Sequence, residues 1–380
     1  MTHRLVHVGL GGQGTHWVED VLPPNVEAGR IEVAAAVDTD PDRLERAEEH
    51  LGLPPSRCYT DLDTALTERD ADFVTVVTPP GAHEVVVDTA LEHGCDILSE
   101  KPIADTLEAS VRIARKVADA DAKMGITMSH RFDRDKTTFR RAVRDGSAGP
   151  IDYLAGRFAG AVRKRGYYSP YVYEMDDLLL LDGAVHHLDI LASLADAPCE
   201  RVYAETWTPE WADYAGHSTG FVTLTFADDT RAIYEGSYAN ATERNGWGNE
   251  MFRAECRDET VVLDRREVRR YPYRPHDASD EADEGAEATA SDGGDPEAAD
   301  GDSEDADGDG LPVPLADRAT WGNAWLVEQF CDWLDGGEPM ATNVHDNLQS
   351  MAIVFAAIES SRRGEPVDVQ ALLDDARADA

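Results

Sequence analysis

Lysine is scarce in this sequence of 380 residues. Only five of its 35 basic residues are lysines, whereas aspartate and glutamate together number 75, and the formal net charge is −40. A surface of this charge repels the phosphates of nucleic acids and of anionic membranes, so we expect no nucleic acid and no membrane as a partner. Few lysines on an acidic surface are typical of proteins that work in molar salt, where the Debye length falls to about 3 Å. We therefore predict a halophilic protein, with a mesophilic protein that carries one acidic insert as the alternative.

Cysteine pairs and long apolar runs are also missing. The five cysteines show no CxxC spacing and their number is odd, which argues against a disulfide framework. No apolar run approaches the length of about 18 residues that spans a bilayer. A strand pattern begins within a few residues of the N-terminus and leaves no room for a signal peptide. We expect a cytoplasmic protein.

Strand and helix signals alternate over the first third of the chain. Near-continuous apolar runs such as Ile31–Val37 suit strands that are buried on both faces. The helix that follows this run has Asp40 in the N-cap position, and a later helix opens with Asp105 and Glu108 at capping-box spacing. Residues 1–128 are therefore predicted to form one α/β domain, a doubly wound parallel sheet with helices on both faces.

The pattern changes in residues 129–380, which are predicted to form a second α/β domain. Phe221–Phe226 and Arg231–Tyr234 alternate apolar and polar residues around a polar break, which indicates a β-hairpin. Further alternating segments predict an open, largely antiparallel sheet, and two amphipathic helices are predicted to end the chain. Between about 277 and 310 the sequence is rich in Asp, Glu, Ala, Gly and Ser. This acidic insert is predicted to be disordered, because it buries too little apolar surface to offset its ordering entropy.

A glycine-rich turn follows the first strand. It reads Gly9-Leu10-Gly11-Gly12-Gln13-Gly14, a GxGxxG, and the second strand ends in Val37-Asp38. Glycines in this setting bring backbone N–H groups close to a pyrophosphate at a helix N-terminus, and a carboxylate at Asp38 can accept hydrogen bonds from both ribose hydroxyls. The same carboxylate repels a 2′-phosphate, so NAD is predicted over NADP. A structural turn with a helix-capping aspartate is the alternative.

Two polar segments stand at the carboxyl ends of later strands, where ligands bind in open α/β sheets. One is Thr78-Pro79-Pro80-Gly81-Ala82-His83, and the other is Glu100-Lys101-Pro102. A lysine held at this edge can reach a hydroxyl or carbonyl group of a substrate beside the nicotinamide. Taken alone, the first segment is equally consistent with an ordinary loop, and Lys101 with a solvated surface residue.

A third motif combines carboxylates and an imidazole. On a helix, Asp182, His186 and Asp189 share one face, and an aspartate beside a histidine orients the ring and raises its basicity. His186, His187 and Asp189 are not predicted to bind a metal, because adjacent helical residues point about 100° apart. The acidic insert is not predicted to bind calcium either, because it lacks the closing glutamate of an EF-hand loop. A buried histidine with satisfied hydrogen bonds is the alternative at His186.

The order of these motifs (GxGxxG, Asp38, TPxxxH, EKP and DxxxHxxD) resembles the family of glucose–fructose oxidoreductase, inositol dehydrogenase and MocA (Gfo/Idh/MocA), and the resemblance spans essentially the whole chain outside the insert. It implies an N-terminal Rossmann domain and a catalytic set of Lys101, Asp182 and His186, with His186 as the acid/base and Asp182 orienting it. The residues that it implies for cofactor binding are Gly9, Gly11, Gly12, Gln13, Gly14, Asp38, Thr78, Pro79, His83, Glu100 and Lys101. It also implies a homodimer or homotetramer, because the open sheet of the family's second domain commonly packs against a partner subunit.

The sequence therefore predicts an NAD(P)-dependent oxidoreductase that transfers a hydride between the nicotinamide and a hydroxyl carbon of a sugar, sugar acid or cyclitol. Two alternatives stay open: an enzyme that keeps NAD tightly bound and uses transient oxidation, and a non-catalytic dinucleotide-binding sensor. The chain departs from the family pattern at Glu174–Leu178 and at His130, both near the expected substrate position. Tyrosines that could contact a polyol or serve in packing are Tyr167, Tyr168, Tyr171 and Tyr173.

Overall fold

The computed structural model describes residues 1–275 and 310–380 of the chain. The acidic insert that we predicted to be disordered lies outside the described residues, except for its last position. The described residues form two sheets whose buried side chains belong to one continuous apolar cluster, with a second cluster under the first sheet.

The first sheet has six strands in the order β3-β2-β1-β4-β5-β6, and every pair in it is parallel. The strands are β1 (His3–Val8), β2 (Ile31–Val37), β3 (Cys58–Tyr59), β4 (Phe73–Val76), β5 (Asp96–Ser99) and β6 (Met124–Ile126). The strand order reverses at β1, which has β2 on one side and β4 on the other. A reversal of this kind opens a crevice at the carboxyl ends of the strands, where dinucleotides bind. The predicted doubly wound sheet is confirmed.

Six helices flank this sheet: α1 (Gly12–His16), α2 (Leu22–Glu27), α3 (Pro41–Leu51), α4 (Leu62–Glu68), α5 (His83–Glu92) and α6 (Leu107–Asp119). A π-helical turn at Trp17–Val21 joins α1 and α2 into one helical run. Asp40 caps α3 as predicted and accepts a hydrogen bond from the backbone N–H two residues on. The capping box predicted at Asp105 is wrong. Thr106 is the N-cap of α6, because its extended backbone lets the hydroxyl accept a hydrogen bond from the Ala109 N–H.

The second sheet has nine strands in the order β14-β13-β12-β11-β7-β10-β9-β8-β15. They are β7 (Ile151–Ala159), β8 (Cys199–Trp207), β9 (Thr219–Phe226), β10 (Arg231–Ser237), β11 (Met251–Cys256), β12 (Glu259–Asp264), β13 (Glu267–Pro272), β14 (Leu311–Val313) and β15 (Val367–Asp368). The hairpin predicted for residues 221–234 is the antiparallel pair β9–β10. The sheet is mixed, because β7 and β10 run parallel while the other pairs are antiparallel.

The helices of this part are α7 (Arg134–Arg144), α8 (Pro170–Tyr173), α9 (Val185–Ala192), α10 (Gly322–Leu334), α11 (Val344–Arg363) and α12 (Val369–Asp379). The sequence predicted two final helices and missed α12, whose buried stripe is only Val369, Leu373 and Ala376. Helix α11 packs against α6 on one side and against α9 and β8 on the other, so it links the two sheets. Within the described ranges, no helix combines the length and the apolar character needed to cross a membrane.

Candidate active site

The glycine-rich turn between β1 and α1 is closed by backbone contacts. Gly9 has a φ of +98°, and a Cβ there would lie 2.2 Å from the carbonyl oxygen of Val77. A Cβ at Gly14 would lie 2.0 Å from the carbonyl oxygen of Gly9, so neither position accepts a side chain. At Gly12, the first residue of α1, a Cβ would meet nothing within 4 Å. The turn therefore fits a pyrophosphate that approaches the N–H groups at the start of the helix.

Asp38 follows β2 and faces this turn. Its Oδ2 accepts a hydrogen bond from the Leu10 N–H at 2.7 Å, and its Oδ1 accepts one from the Asp40 N–H at 2.9 Å. The guanidinium of Arg43 lies 3.8 Å from Asp38 and 3.2 Å from Asp40, and its Nη1 would be 3.2 Å from a Cβ at Gly11. A carboxylate and a guanidinium thus stand side by side where the adenosine ribose of a dinucleotide is expected.

A cavity of about 330 Å³ opens at the carboxyl edge of the first sheet. Its walls are Gln13, Val77, Thr78, Glu100, Lys101, Ser129, His130, Asp182, His186 and Trp247. Six of the predicted site residues therefore meet here, although they come from the glycine-rich turn, from two strand ends and from the second part of the chain. Pro79 and His83 are not among the lining residues. The remaining predicted residues, Asp38 and the glycines, lie at the glycine-rich turn.

Lys101 is anchored on the cavity wall by a carboxylate. Its Nζ donates to the backbone oxygen of Asp182 at 3.0 Å and lies 3.3 Å from the Asp182 Oδ1. The hydroxyl of Tyr238 donates to the Asp182 Oδ2 at 2.6 Å. Burial, reinforced by the charge of Asp182, raises the pKa of Tyr238 well above its usual value, so this hydroxyl keeps its proton. Asp182 therefore has one oxygen for the ammonium and one for the phenol, which fixes where the ammonium lies.

His186, at the start of α9, packs face to face on His130. The two ring centroids are 4.0 Å apart and the rings are inclined by 8°. Burial and, after it, the electrostatic influence of the His130 ring and of the Lys101 ammonium lower the pKa of His186 well below its usual value, so the ring is neutral at pH 7. Its Nδ1 has no hydrogen-bond partner among the described residues. Within that part of the chain no hydrogen bond joins Asp182 to His186 either, so the ring stack, and not the predicted aspartate, is the contact that holds the imidazole.

Glu100, which lines the cavity, and His83, which lies behind its wall, hold the strand ends that form the cavity. The Oε1 of Glu100 accepts hydrogen bonds from the Trp17 indole N–H at 2.7 Å and from the Asn323 amide at 3.1 Å. Glu100 thereby ties the strand end that carries Lys101 to the first helical run and to α10. His83 is fully buried, and its ring nitrogens lie 2.9 Å from the Thr78 carbonyl oxygen and 3.2 Å from a second carbonyl oxygen. His83 therefore shapes the loop that presents Thr78.

A buried ion pair lies beside His130. Glu250 is fully buried, with its Oε2 2.8 Å from the Lys136 Nζ and its Oε1 accepting the Gly248 N–H at 2.9 Å. His130 Nδ1 and His187 Nε2 lie 3.9 Å and 3.7 Å from the same Oε1. Burial acts to raise the pKa of Glu250, but the imidazole of His187 and the ammonium of Lys136 outweigh it and hold that pKa well below its usual value. Glu250 is thus an anion paired with Lys136, whose ammonium also lies 3.3 Å from Asp135 and 3.7 Å from Asp133.

The donor atoms of His130, His187 and Glu250 lie within 4.8 Å of one another, a spacing that raises the question of a metal ion. Both oxygens of Glu250 already have partners, and Lys136 supplies the cation that a buried carboxylate requires. A divalent ion would stand next to that ammonium. This arrangement favours an ion pair over a metal centre, and the absence of a metal stays a prediction.

Two residues that shape the site, Tyr238 and Trp247, carry no recognisable motif in the sequence. Tyr238 follows β10 and Trp247 lies in the loop after it, and no motif precedes or follows either of them. Trp247 lines the cavity, and its indole stands edge-on to His130 with ring centroids 5.3 Å apart. Only the fold brings residue 238 next to residue 182. A tyrosine or tryptophan that packs against the DxxxH segment can therefore be identified only when the strand order is known.

The four tyrosines flagged in the sequence do not line the cavity. Tyr173 is buried, and its hydroxyl donates to the Lys164 carbonyl oxygen at 2.9 Å. Tyr168 accepts the indole N–H of Trp247 at 2.8 Å, so it acts through the tryptophan. Tyr167 and Tyr171 are largely exposed. Packing, the second of the two predicted roles, fits Tyr173 best.

Comparisons with known proteins find two family models that match successive parts of the chain. A family model described as an oxidoreductase family with an NAD-binding Rossmann fold (GFO_IDH_MocA) matches residues 3–128. The model of the GFO/IDH/MocA C-terminal domain matches residues 137–258. The two matches together take in well over half of the sequence. The chain belongs to the Gfo/Idh/MocA oxidoreductase family.

This Gfo/Idh/MocA protein is similar along its full length to other proteins. It is 46% identical to the uncharacterized protein y4oX of Sinorhizobium fredii, with 100% of this chain and 99% of that protein covered. It is 25% identical to D-apiose dehydrogenase of Paraburkholderia graminis, with 91% and 85% covered. An oxidoreductase of Agrobacterium radiobacter, solved with NAD+, L-tartaric acid and magnesium, shares the fold with a TM-score of 0.76 at 19% identity, with 97% and 99% covered. The resemblance predicted from the motifs is confirmed: the protein is an oxidoreductase of this family with an NAD-binding Rossmann domain.

Proposed function

We propose that this enzyme oxidises a secondary alcohol of a sugar, sugar acid or cyclitol and uses NAD as the hydride acceptor. One observation carries the proposal: Lys101, Asp182 and His186 converge on a cavity that also contacts Gln13 of the glycine-rich turn. A substrate in this cavity would stand beside the reactive end of a dinucleotide. The similarity to D-apiose dehydrogenase supports a sugar as the substrate.

The residues of the cavity divide the chemistry between them. The glycine-rich turn and Gln13 would hold NAD, which when bound would supply the acceptor for the hydride of the carbinol carbon. His186 accepts the hydroxyl proton, because burial keeps its ring neutral and so leaves it a nitrogen lone pair. Lys101 donates a hydrogen bond to the same oxygen and stabilises the negative charge that develops there. Asp182 and Tyr238 hold the ammonium in place, and the Trp247 ring offers an apolar wall for a sugar ring.

NAD is proposed over NADP because of Asp38. Both of its oxygens already accept backbone N–H groups, which fixes the carboxylate beside the turn with 6% of its surface exposed. A 2′-phosphate would meet a fixed like charge there, whereas ribose hydroxyls would donate to it. The guanidinium of Arg43 could favour a phosphate, but its ion pairs with Asp38 and Asp40 already engage it, and Arg46 nearby donates to the Leu10 carbonyl oxygen and the Thr15 hydroxyl.

A homodimer or homotetramer is also proposed, formed through the second sheet. Large apolar side chains stand exposed on its strands: Trp207 on β8 at 38%, Phe221 on β9 at 50% and Ile233 on β10 at 49%. Trp207 and Phe221 are in contact, with ring centroids 5.2 Å apart. A contiguous apolar patch of this kind is typical of an interface between subunits.

The test is a screen of sugars, sugar acids and cyclitols with NAD in high salt, followed by NADH absorbance. Lys101→Ala should lower kcat by about 10²- to 10⁴-fold, the usual contribution of a positioned proton-transfer group. Lys164→Ala is the matched control, because Lys164 is an exposed lysine that is also paired with an aspartate, at 2.8 Å. Near-wild-type kcat in Lys101→Ala would contradict the assignment and favour the sensor. Oxidised substrate without net NADH release would favour the enzyme with tightly bound NAD.

A further inference from the structure

His130 is a second imidazole on the wall of the cavity, and the chemistry described above uses only its ring, as the stacking partner that holds His186. It follows β6 in a short helical turn at Ser129–Phe132. Its ring is stacked on His186 and lines the same cavity. The sequence singled out this position as a departure from the family pattern.

The orientation of the His130 ring follows from its surroundings. Nδ1 is buried without a hydrogen-bond partner among the described residues and lies 3.9 Å from the Glu250 Oε1. The side chain as a whole is 22% exposed although Nδ1 is buried, so we assign its exposed atoms to the edge of the ring away from Nδ1. That edge carries Nε2.

The proton of the neutral ring is placed by the Glu250 anion. Burial is the main cause that lowers the pKa of His130, to about 3, so the ring carries one proton at neutral pH. An anion on the Nδ1 side favours the tautomer in which Nδ1 carries that proton, since the tautomer follows the electrostatic partner of each nitrogen. Nε2 is then a hydrogen-bond acceptor that faces the cavity. Lys136, which is 1% exposed, keeps Glu250 ionised and so maintains this arrangement.

Two parallel imidazoles whose centroids are 4.0 Å apart thus present their edges to one cavity. We propose that His130 is a specificity residue whose Nε2 accepts a hydrogen bond from the hydroxyl next to the reacting carbinol, so that the preferred substrate is a vicinal diol. This inference rests on the proposed function, in which His186 takes the proton of the reacting hydroxyl. With the rings stacked this closely, their two edges can accept hydrogen bonds from hydroxyls on neighbouring carbons of one polyol.

The experiment compares substrates that differ by one hydroxyl. His130→Phe keeps a ring for the stack on His186 and removes the acceptor, whereas His130→Gln retains an acceptor oxygen. The probes are D-glucose with 2-deoxy-D-glucose and myo-inositol with its monodeoxy derivatives. The kcat/KM of His130→Phe should fall about 5- to 30-fold for the diol of a pair, mainly through KM, because a buried hydroxyl loses its acceptor. For the deoxy partner the same variant should stay within about two-fold of wild type, and His130→Gln should recover part of the loss.

A binding measurement separates this inference from the proposed function. The enzyme–NADH complex is titrated with each probe by calorimetry, and NADH affinity and melting temperature serve as controls for folding. If the enzyme turns over the probes but His130→Phe loses the same fraction of kcat/KM for the diol and for its deoxy partner, the role of His130 is overturned and the proposed function stays intact. Absence of turnover, with diol binding that still depends on His130, would overturn the proposed function alone. No binding of any probe to the wild type, or stoichiometric zinc in the purified protein, would overturn the role of His130, because zinc would make it a ligand.

Discussion

Tyr238→Phe tests whether the Lys101–Asp182 pair acts by position. The substitution removes one hydroxyl, the 2.6 Å donor to the Asp182 Oδ2, and keeps the ring. That ring packs edge-on against Phe158 and Trp247, so the core around it is retained. Lys101 is then anchored by an aspartate that has lost its second partner and is free to turn.

The size of the effect follows from the exposure of Asp182. A hydrogen bond to a charged group contributes about 1.5–3 kcal/mol. The Asp182 side chain is 30% exposed, so water replaces part of the lost bond. We therefore take a value around and below the lower end of that range, about 1–2 kcal/mol, which corresponds to a fall in kcat of about 5- to 30-fold. The KM for NAD should not change, since Tyr238 does not contact the glycine-rich turn.

The assay is steady-state NADH formation together with thermal unfolding. Tyr173→Phe is the matched control: Tyr173 is equally buried, but its hydroxyl donates to the Lys164 carbonyl oxygen and not to Asp182. Both variants should lose some stability, and only Tyr238→Phe should lose kcat. Unchanged kcat in Tyr238→Phe, or the same fall in Tyr173→Phe, would refute the positional role.

Three further outcomes are expected. Asp38→Ala should narrow the preference for NAD, because Arg43 then loses one acidic partner and can pair with a 2′-phosphate; Asp38→Ala with Arg43→Ala should lose that gain, and a wild type that prefers NADP would contradict the reasoning. Dialysis from molar to dilute salt should lower the melting temperature, since the Debye length grows from about 3 Å to about 10 Å or more and leaves the −40 net charge unscreened; an unchanged melting temperature would argue for a mesophilic protein. Treatment with EDTA should leave kcat unchanged, because Lys136 already balances Glu250; loss of activity that zinc restores would show that the cluster at His130 binds a metal.

The parallel sheet and the glycine-rich turn could be predicted because the sequence signals for both lie within short segments of the chain. Ile31–Val37 is an apolar run in sequence and a buried strand in the fold, and the glycines are required by backbone contacts within one turn. The Lys101 position could be predicted for a similar reason: it follows a strand, and the carboxyl ends of parallel strands share one edge. The start of α6 was misplaced by one residue, since Asp105 and Thr106 are both good caps and the backbone angles decide between them.

The partners within the site could not be predicted. On an ideal helix Asp182 and His186 are neighbours, but Asp182 lies in a π-helical turn and α9 starts only at Val185. The partners that its carboxylate takes are a lysine 81 residues earlier and a tyrosine 56 residues later. Asp189, on the same predicted face, instead forms a buried ion pair with Arg131. Helical periodicity shows which residues share a face, but the strand order decides what that face meets.

The few lysines of the chain differ in how far they are exposed to solvent at the surface and at the site. Of the chain's five lysines, Lys164 is 68% exposed, whereas Lys101 and Lys136 are 15% and 1% exposed and pair with carboxylates at or beside the cavity. Salt screens exposed charges strongly and partly buried pairs far less. The acidic surface and the Lys101 ammonium are therefore expected to respond to salt separately. Salt should set how much of the protein is folded, and kcat per folded molecule should follow from the Lys101–Asp182 contact, which salt leaves in place.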